Sequence, residues 1–166
     1  MTTKGNILYS NTYKQTPIRG LEDEKVNFNK IVAKLNNTED EQITSAGDMV
    51  KLVAGANGVP TVAEVEATEN YSATTKYGFI PLARKHNEYK NNDMLTVALS
   101  NSVMYMIAQE AIACGDYVAY DATTETPTNT GTIIKNPSEA TAGKIPCGFA
   151  LDTATQAGDL VRVMIL

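Results

Sequence analysis

The sequence predicts a mainly β domain, either a small barrel or a sandwich, built from two degenerate repeats and preceded by an N-terminal arm and one short helix. Three observations support this prediction. One turn-and-strand pattern recurs through the chain, its copies are spaced as an internal repeat, and the first forty residues lack it. With 166 residues, 43% of them hydrophobic and 20% charged, the chain has the composition of a globular protein able to bury a core.

A glycine or asparagine followed by an aspartate and an alternating apolar run occurs four times, at Gly47-Asp48, Asn92-Asp93, Gly115-Asp116 and Gly158-Asp159. Glycine and asparagine can adopt the positive φ that tight turns need, and aspartate can hydrogen-bond to nearby backbone. The β-branched residues that follow favour a strand. Each copy therefore predicts a turn that opens a strand.

A second marker, a Gly-Phe pair, follows the first and the third of these turns, at Gly78-Phe79 and Gly148-Phe149. Matching anchors in the two halves lie 68, 70 and 66 residues apart. Residues 47–98 and 115–164 therefore form a degenerate internal repeat. Two copies of a strand-rich unit that close on each other predict one small barrel or sandwich.

The segments between these markers add further strands. Asn57-Gly58 separates two strand-like runs, which is a strong signal for a β-hairpin, and Val65 in the second run is expected to face inward. Residues 102–107 and 161–166 are also predicted strands, the latter paired inside the sheet or against a neighbouring copy. Residues 123–130 are rich in Thr, Pro and Asn and predict an exposed loop, with contact to a neighbour as the alternative role.

The first forty residues follow a different pattern. Residues 6–20 show little periodicity and predict an extended arm. Residues 21–35 predict a helix, because four apolar side chains would share one face: Phe28, Ile31, Val32 and Leu35. This helix could cap the barrel or dock on a partner, and the two roles are compatible. The predicted division is an arm and helix at residues 1–40 and a β-barrel domain at residues 41–166.

Charge and composition weigh against two kinds of partner. The net charge is −5, with acidic clusters at residues 22–24 and 39–41, whereas nucleic-acid binding needs a clustered basic surface. No run approaches the roughly 18 apolar residues of a membrane helix, and the start of the sequence shows no pattern of an export signal. Neither nucleic acid nor membrane is expected as a partner.

Candidate catalytic and metal-binding groups are few. His86 is the only histidine, so a Ser–His or Cys–His arrangement would have to use it. Cys114 and Cys147 are expected to be free, buried thiols, with a Cys114–Cys147 disulfide as the alternative, and together with His86 they match no zinc-ligand spacing. Most aspartates lie in the predicted turns, where a structural role explains them. The chain is therefore predicted not to be an enzyme and to need no cofactor or metal.

Several of these motifs resemble the small β-barrel decoration proteins of tailed-phage capsids. In the second half they are residues 102–118, 147–152 and 157–163, and in the first half residues 47–52 and 78–80. The resemblance covers roughly residues 43–166. Residues 7–35 are similar to the short N-terminal segment that precedes such a barrel in head-fibre base proteins. No catalytic residues are known in these families, so none are carried over.

The resemblance implies a virion structural protein that binds the outer surface of an assembled phage capsid, as decoration or as a head-fibre base. Its expected partners are the major capsid protein, further copies of itself in a homo-oligomer and, as a further candidate, other head-fibre proteins. Its expected location is the capsid surface of the virion, with assembly in the host cytoplasm. The candidate capsid or oligomer contacts are Phe28, Ile31, Val32 and Leu35.

An alternative function is a carbohydrate- or cell-surface-binding β module. The chain contains no tryptophan, which weakens this reading. Tyrosines keep it open, because aromatic rings can supply an amphipathic binding surface. The tyrosines concerned are Tyr71, Tyr77, Tyr89, Tyr105, Tyr117 and Tyr120.

Overall fold

The computed structural model describes residues 29–37, 43–55, 58–82, 88–123 and 132–166. Over these ranges the chain forms twelve β-strands and no α-helix, so the mainly β prediction is confirmed. The strands are β1 Lys30–Leu35, β2 Thr44–Ser45, β3 Met49–Val53, β4 Thr61–Glu64, β5 Tyr77–Phe79, β6 Glu88–Tyr89, β7 Met94–Ala98, β8 Val103–Ala108, β9 Tyr117–Asp121, β10 Thr132–Lys135, β11 Lys144–Ala150 and β12 Leu160–Ile165. The described part contains no helix that is long and apolar enough to cross a membrane.

Ten of the strands close into two barrels of five strands each. The first barrel has the order β1-β4-β3-β5-β7, and β7 pairs with β1 to close it. The second has the order β8-β10-β9-β11-β12, and β12 pairs with β8. In both barrels the first two strands of this order run parallel and the other pairs are antiparallel. The remaining strands, β2 and β6, pair with each other.

Equivalent backbone hydrogen bonds confirm the internal repeat. In the first barrel Gly47 N–H donates to Ile80 O (2.7 Å) and Ile80 N–H to Asp48 O (3.0 Å). In the second, Gly115 N–H donates to Ala150 O (2.8 Å) and Ala150 N–H to Asp116 O (2.9 Å). The β1 and β8 strands are also equivalent, because they make matching bonds to the turns that open β7 and β12.

The prediction that the two repeats close on each other is wrong, since each repeat closes on itself. Each barrel contains one strand that lies outside the repeat recognised in the sequence. This strand is β1 in the first barrel and β8 in the second, and neither follows a Gly-Asp marker. These strands lie before the markers and supply the fifth strand that a small barrel needs to close. Alternation of apolar residues identifies a strand, but it does not say whether the partner strand belongs to the same repeat.

The four predicted turns have one common geometry. The third residue of each has a positive φ: Gly47 at 90°, Asn92 at 74°, Gly115 at 91° and Gly158 at 93°. The aspartate that follows donates its N–H to the carbonyl three residues back, which makes each a β-turn of type II. The aspartate carboxylate also accepts a hydrogen bond from the backbone N–H of the first turn residue. The distances are 2.6 Å from Ser45, 2.8 Å from Lys90, 3.0 Å from Ala113 and 3.2 Å from Gln156.

These turns give a stability prediction that depends on burial. Asp48 is 1% exposed, whereas Asp159 is only partly buried. We expect Asp48→Ala to lower the free energy of unfolding by about 1–3 kcal/mol, because it leaves the N–H of Ser45 without its acceptor in a partly buried turn. Asp159→Ala is the matched control, and water can replace the lost acceptor there. Urea unfolding of both variants checks this, and an equal loss would contradict it.

The Gly-Phe marker also has a physical cause. A Cβ on Gly78 would lie 2.5 Å from Val97 Cγ1 and 2.7 Å from Ala98 O on the neighbouring strand. A Cβ on the equivalent Gly148 would overlap the carbonyl oxygen of Met164. The close approach of β5 to β7, and of β11 to β12, therefore excludes any side chain at these two positions.

The predicted helix is wrong for residues 30–35, which form β1. The strand pairs with β4 on one side and with β7 on the other, and this tertiary pairing overrides the helical spacing. The same residues also alternate with period two, because Ala33 and Leu35 are fully buried while Val32 is 58% exposed. The first barrel therefore includes part of the segment assigned to the arm. Residues 1–28 lie outside the described ranges, so the arm stays a prediction.

Other local predictions are confirmed. A β3–β4 hairpin encloses Gly58, which has a φ of 73°. Residues 103–108 form β8, and β12 pairs inside the second barrel with β8 and β11. Val65 is buried, but it packs against the second barrel and lies just beyond β4. Of the predicted loop at residues 123–130, only Thr123 is described, and it is exposed.

Two apolar clusters form the cores. The smaller cluster fills the first barrel with residues such as Leu35, Val62 and Val97. The larger cluster fills the second barrel and also includes four buried residues of the first: Met49, Val65, Phe79 and Ala98. The barrels are thus joined by an apolar contact, in which the Phe79 ring meets the Tyr120 ring edge-on at 5.8 Å. The N–H of Gly143 also donates to Glu69 O at 2.7 Å across this junction.

Candidate interaction surface

Two of the turn carboxylates, those of Asp116 and Asp159, are held as ionised hydrogen-bond acceptors. The N–H of Ala113 lowers the pKa of Asp116, with a smaller contribution from Lys135. The N–H and hydroxyl of Thr155 lower the pKa of Asp159 in the same way, assisted by Gln156. A carboxylate that accepts several backbone N–H groups favours its charged form. The structure therefore agrees with the structural role predicted for these aspartates.

Two further aspartates form ion pairs with side chains of the second barrel, one of them buried (Asp121) and one partly exposed (Asp152). Burial would raise the pKa of Asp121, but the hydrogen bonds from Lys144 and Thr123 outweigh it, and the pKa is lowered. The Arg162 guanidinium binds both carboxylate oxygens of Asp152, at 2.8 and 2.7 Å, and lowers its pKa. A general acid at neutral pH needs a raised pKa, and these shifts have the opposite sign.

The thiols are free, as predicted, but only one of them is buried. Cys147 is buried, and desolvation raises the pKa of its thiol to about 12, which keeps it protonated and unreactive. Cys114 is exposed, and its Sγ–H donates to Leu151 O at 3.2 Å. His86 lies outside the described ranges. Within those ranges no three His, Cys, Asp or Glu side chains come together as a metal site.

The candidate contact residues of β1 divide between the two faces of the strand. Ile31 and Leu35 belong to the core of the first barrel, and Phe28 lies outside the described ranges. Val32 points outward and is 58% exposed. Its diagonal neighbour across the β1–β7 pair is Met94, which is 54% exposed. We call Val32 and Met94 the β1–β7 patch.

A groove of about 440 Å³ lies between the two barrels. Its lining includes Tyr71 and Tyr77, which stack at 6.0 Å between ring centroids. Tyr117 and Leu166 also line it and are 65% and 64% exposed, and Leu52 on the side of the first barrel is 36% exposed. This inter-barrel groove and the β1–β7 patch are surfaces on which exposed apolar side chains gather, a feature typical of interaction sites.

Sequence reasoning missed Leu52 and Leu166 as surface residues. Both look like ordinary strand residues, and their exposure depends on how the barrels pack. Tyr117 carried a usable signal, because it follows Gly115-Asp116 in the position that Met49 occupies after Gly47-Asp48. When one repeat carries a large aromatic residue at a position where the other repeat carries an aliphatic one, the aromatic residue is a candidate for contact with a partner.

No family model matches the sequence, and no curated protein matches it either. Among solved structures, the chain is similar to the N base of the head fiber protein gp8.5 of bacteriophage phi29. The sequence identity is 16%, the match covers 84% of this chain and 95% of that one, and the TM-score is 0.46.

Proposed function

We propose that this chain is a structural protein of a bacteriophage virion and binds the outer surface of the assembled capsid, as decoration or as the base of a head fibre. The observation that carries the proposal is the tandem of two closed barrels with apolar side chains displayed on the outside. The recurring turns on which the resemblance to capsid decoration proteins depends open four strands of these barrels. Catalysis is not part of this function.

A closed barrel suits a protein that is held in many copies on one shell. Closure removes unpaired strand edges, through which crowded copies would otherwise pair and aggregate. Binding only to the assembled shell would stabilise that shell by mass action, because each bound copy favours the assembled state. The β1–β7 patch is the proposed capsid contact, and the partner is the major capsid protein.

We expect Val32→Asp to weaken binding to assembled shells at least tenfold, which corresponds to about 1.4 kcal/mol or more. The reason is that a charge replaces an apolar side chain at the centre of the contact. Val59→Asp is the control, because Val59 is also apolar and 38% exposed but lies in the β3–β4 hairpin. Co-sedimentation with shells of the major capsid protein measures the binding. Wild-type protein that stays in the supernatant would refute the function, and unchanged binding of Val32→Asp would refute the patch.

Two truncations separate the arm from the barrel as the capsid anchor. Removing residues 1–28 keeps every described strand, so we expect the barrels to fold, and retained shell binding would exclude the arm as the anchor. Removing residues 1–40 deletes β1, which pairs with both β4 and β7. We expect this second truncation to open and unfold the first barrel, as monitored by circular dichroism. A folded first barrel in that variant would contradict the observed topology.

The second candidate function is the carbohydrate- or cell-surface-binding module. Its supporting observation is the stacked, partly exposed Tyr71–Tyr77 pair in the inter-barrel groove. Specific binding on a glycan array, lost in Tyr71→Ala and absent for shells, would favour this candidate over capsid attachment.

A further inference from the structure

Equivalent outer faces of the two barrels differ sharply in burial. Met49 and Tyr117 are equivalent, because Val65 N–H donates to Met49 O (3.1 Å) and Asn136 N–H donates to Tyr117 O (2.9 Å). Met49 is fully buried, whereas Tyr117 is 65% exposed. The two residues that donate these hydrogen bonds also differ in burial, since Val65 is buried and Asn136 is exposed. The contact between the barrels is therefore not symmetric, since equivalent residues would then be buried alike.

The contact joins an outer face of the first barrel to a receiving side of the second. The outer face contains Met49 and Phe79 on β3 and β5. The receiving side contains Tyr120, which meets the Phe79 ring, and Gly143, which bonds to the segment after β4. In the first barrel, the residue equivalent to Tyr120 is Leu52, because both lie two positions beyond equivalent valines in β3 and β9.

Each chain therefore exposes two surfaces that are equivalent to those joining its barrels: a second outer face and a second receiving side. The unused outer face, on the second barrel, consists of Tyr117 and the partly exposed Phe149, whose rings meet at 6.5 Å. The unused receiving side, on the first barrel, consists of Leu52 and the exposed Ala54. Tyr117 and Leu52 both line the inter-barrel groove, yet both remain exposed, so the chain does not satisfy them internally.

We infer that the Tyr117–Phe149 face of one chain docks on the Leu52–Ala54 side of a second copy, head to tail. The contact inside the chain shows which kind of surface covers such an outer face, namely the receiving side of another barrel of the same fold. A contact between two different surfaces of identical chains is heterologous and propagates into a ring or an open row. An exposed tyrosine near the centre is also a residue type enriched among interface hot spots. The inference does not rest on capsid attachment.

Sedimentation equilibrium of the purified chain over a range of concentrations tests the association. We expect a mass that rises above the 17.9 kDa of the monomer. Tyr117→Asp and Leu52→Asp should each weaken association at least about tenfold, because each introduces a buried charge into one half of the contact. Ile43→Asp, at an exposed apolar position outside both this contact and the β1–β7 patch, is the control and should associate like the wild type. If Leu52→Asp fails to fold, Ala54→Arg blocks the same side from an exposed position.

Mixing the two defective variants tests the head-to-tail arrangement. Tyr117→Asp retains an intact receiving side, and Leu52→Asp retains an intact outer face. A mixture should therefore form a dimer through one intact contact with about wild-type affinity, although each variant alone associates at least about tenfold more weakly. A mixture that stays monomeric would overturn the head-to-tail contact. A wild-type chain that stays monomeric would overturn the inference as a whole. This includes the case in which residues 1–28 of the same chain cover the Tyr117 face.

Discussion

Gly148→Ala is expected to lower the free energy of unfolding of the second barrel by about 3 kcal/mol, at the upper end of the usual cost of overpacking. The added Cβ would overlap the carbonyl oxygen of Met164 on β12, and backbone cannot rotate away as a flexible side chain can. Relief would require β11 to move away from β12. That movement would weaken the ladder in which Gly148 is paired with Ile165. Urea unfolding of the variant beside the wild type measures the loss.

Gly115→Ala is the matched control for this substitution. Gly115 has a φ of 91°, but nothing lies within 4 Å of a Cβ built there. Alanine at Gly115 therefore adds only the strain of the left-handed conformation, about 1–2 kcal/mol. A larger loss at Gly115 than at Gly148 would show that turn conformation matters more than the close approach of β11 to β12.

The turns could be predicted from the sequence because their cause is local. Each turn needs a residue that tolerates a positive φ at its third position and, directly after it, a carboxylate that accepts the first N–H of the turn. The four Gly-Asp or Asn-Asp pairs meet both requirements. Closure of the barrels could not be predicted in this way. It depends on β1 and β8, whose pairing partners are distant in sequence and whose own residues carry no turn marker.

The error at residues 30–35 has the same origin. Ile31, Val32 and Leu35 fit a helical face, and Ile31, Ala33 and Leu35 fit an alternating strand equally well. Pairing on both sides decides for the strand, and Ile31 and Val32 are β-branched residues that a strand accommodates well. The candidate surface was harder still to predict. Tyr117 and Met49 occupy equivalent positions, so their different burial arises only from the packing of the two barrels.

Lys144→Met is the second substitution for which a large effect is expected. The ammonium of Lys144 pairs with Asp121 across the β9–β11 ladder, and their side chains are 19% and 3% exposed. Removing the cation leaves a buried carboxylate without its counter-charge, which typically costs about 3–5 kcal/mol in a fully buried pair. We expect a loss of about 2 kcal/mol here, because Lys144 is partly solvated and Thr123 still donates to Asp121. Lys135→Met, which breaks the more exposed pair with Asp116, is the control and should shift the urea midpoint far less.

The pH dependence distinguishes the loss of charge pairing from a simple loss of packing. The pKa of Asp121 is lowered in the folded wild type, so its stabilising contribution is complete above the ordinary carboxyl pKa of about 4 and is lost as the pH falls through the lowered value. Without Lys144 the contribution of burial raises the pKa of Asp121 relative to the wild type, and protonation then relieves the variant. The stability difference between the wild type and Lys144→Met should therefore be largest near neutral pH and shrink in acid.

Adding Asp121→Asn to Lys144→Met should recover part of the loss at neutral pH, because no charge is then left buried. A difference that is independent of pH, with no recovery in the double variant, would mean that Lys144 acts through the packing of its aliphatic chain.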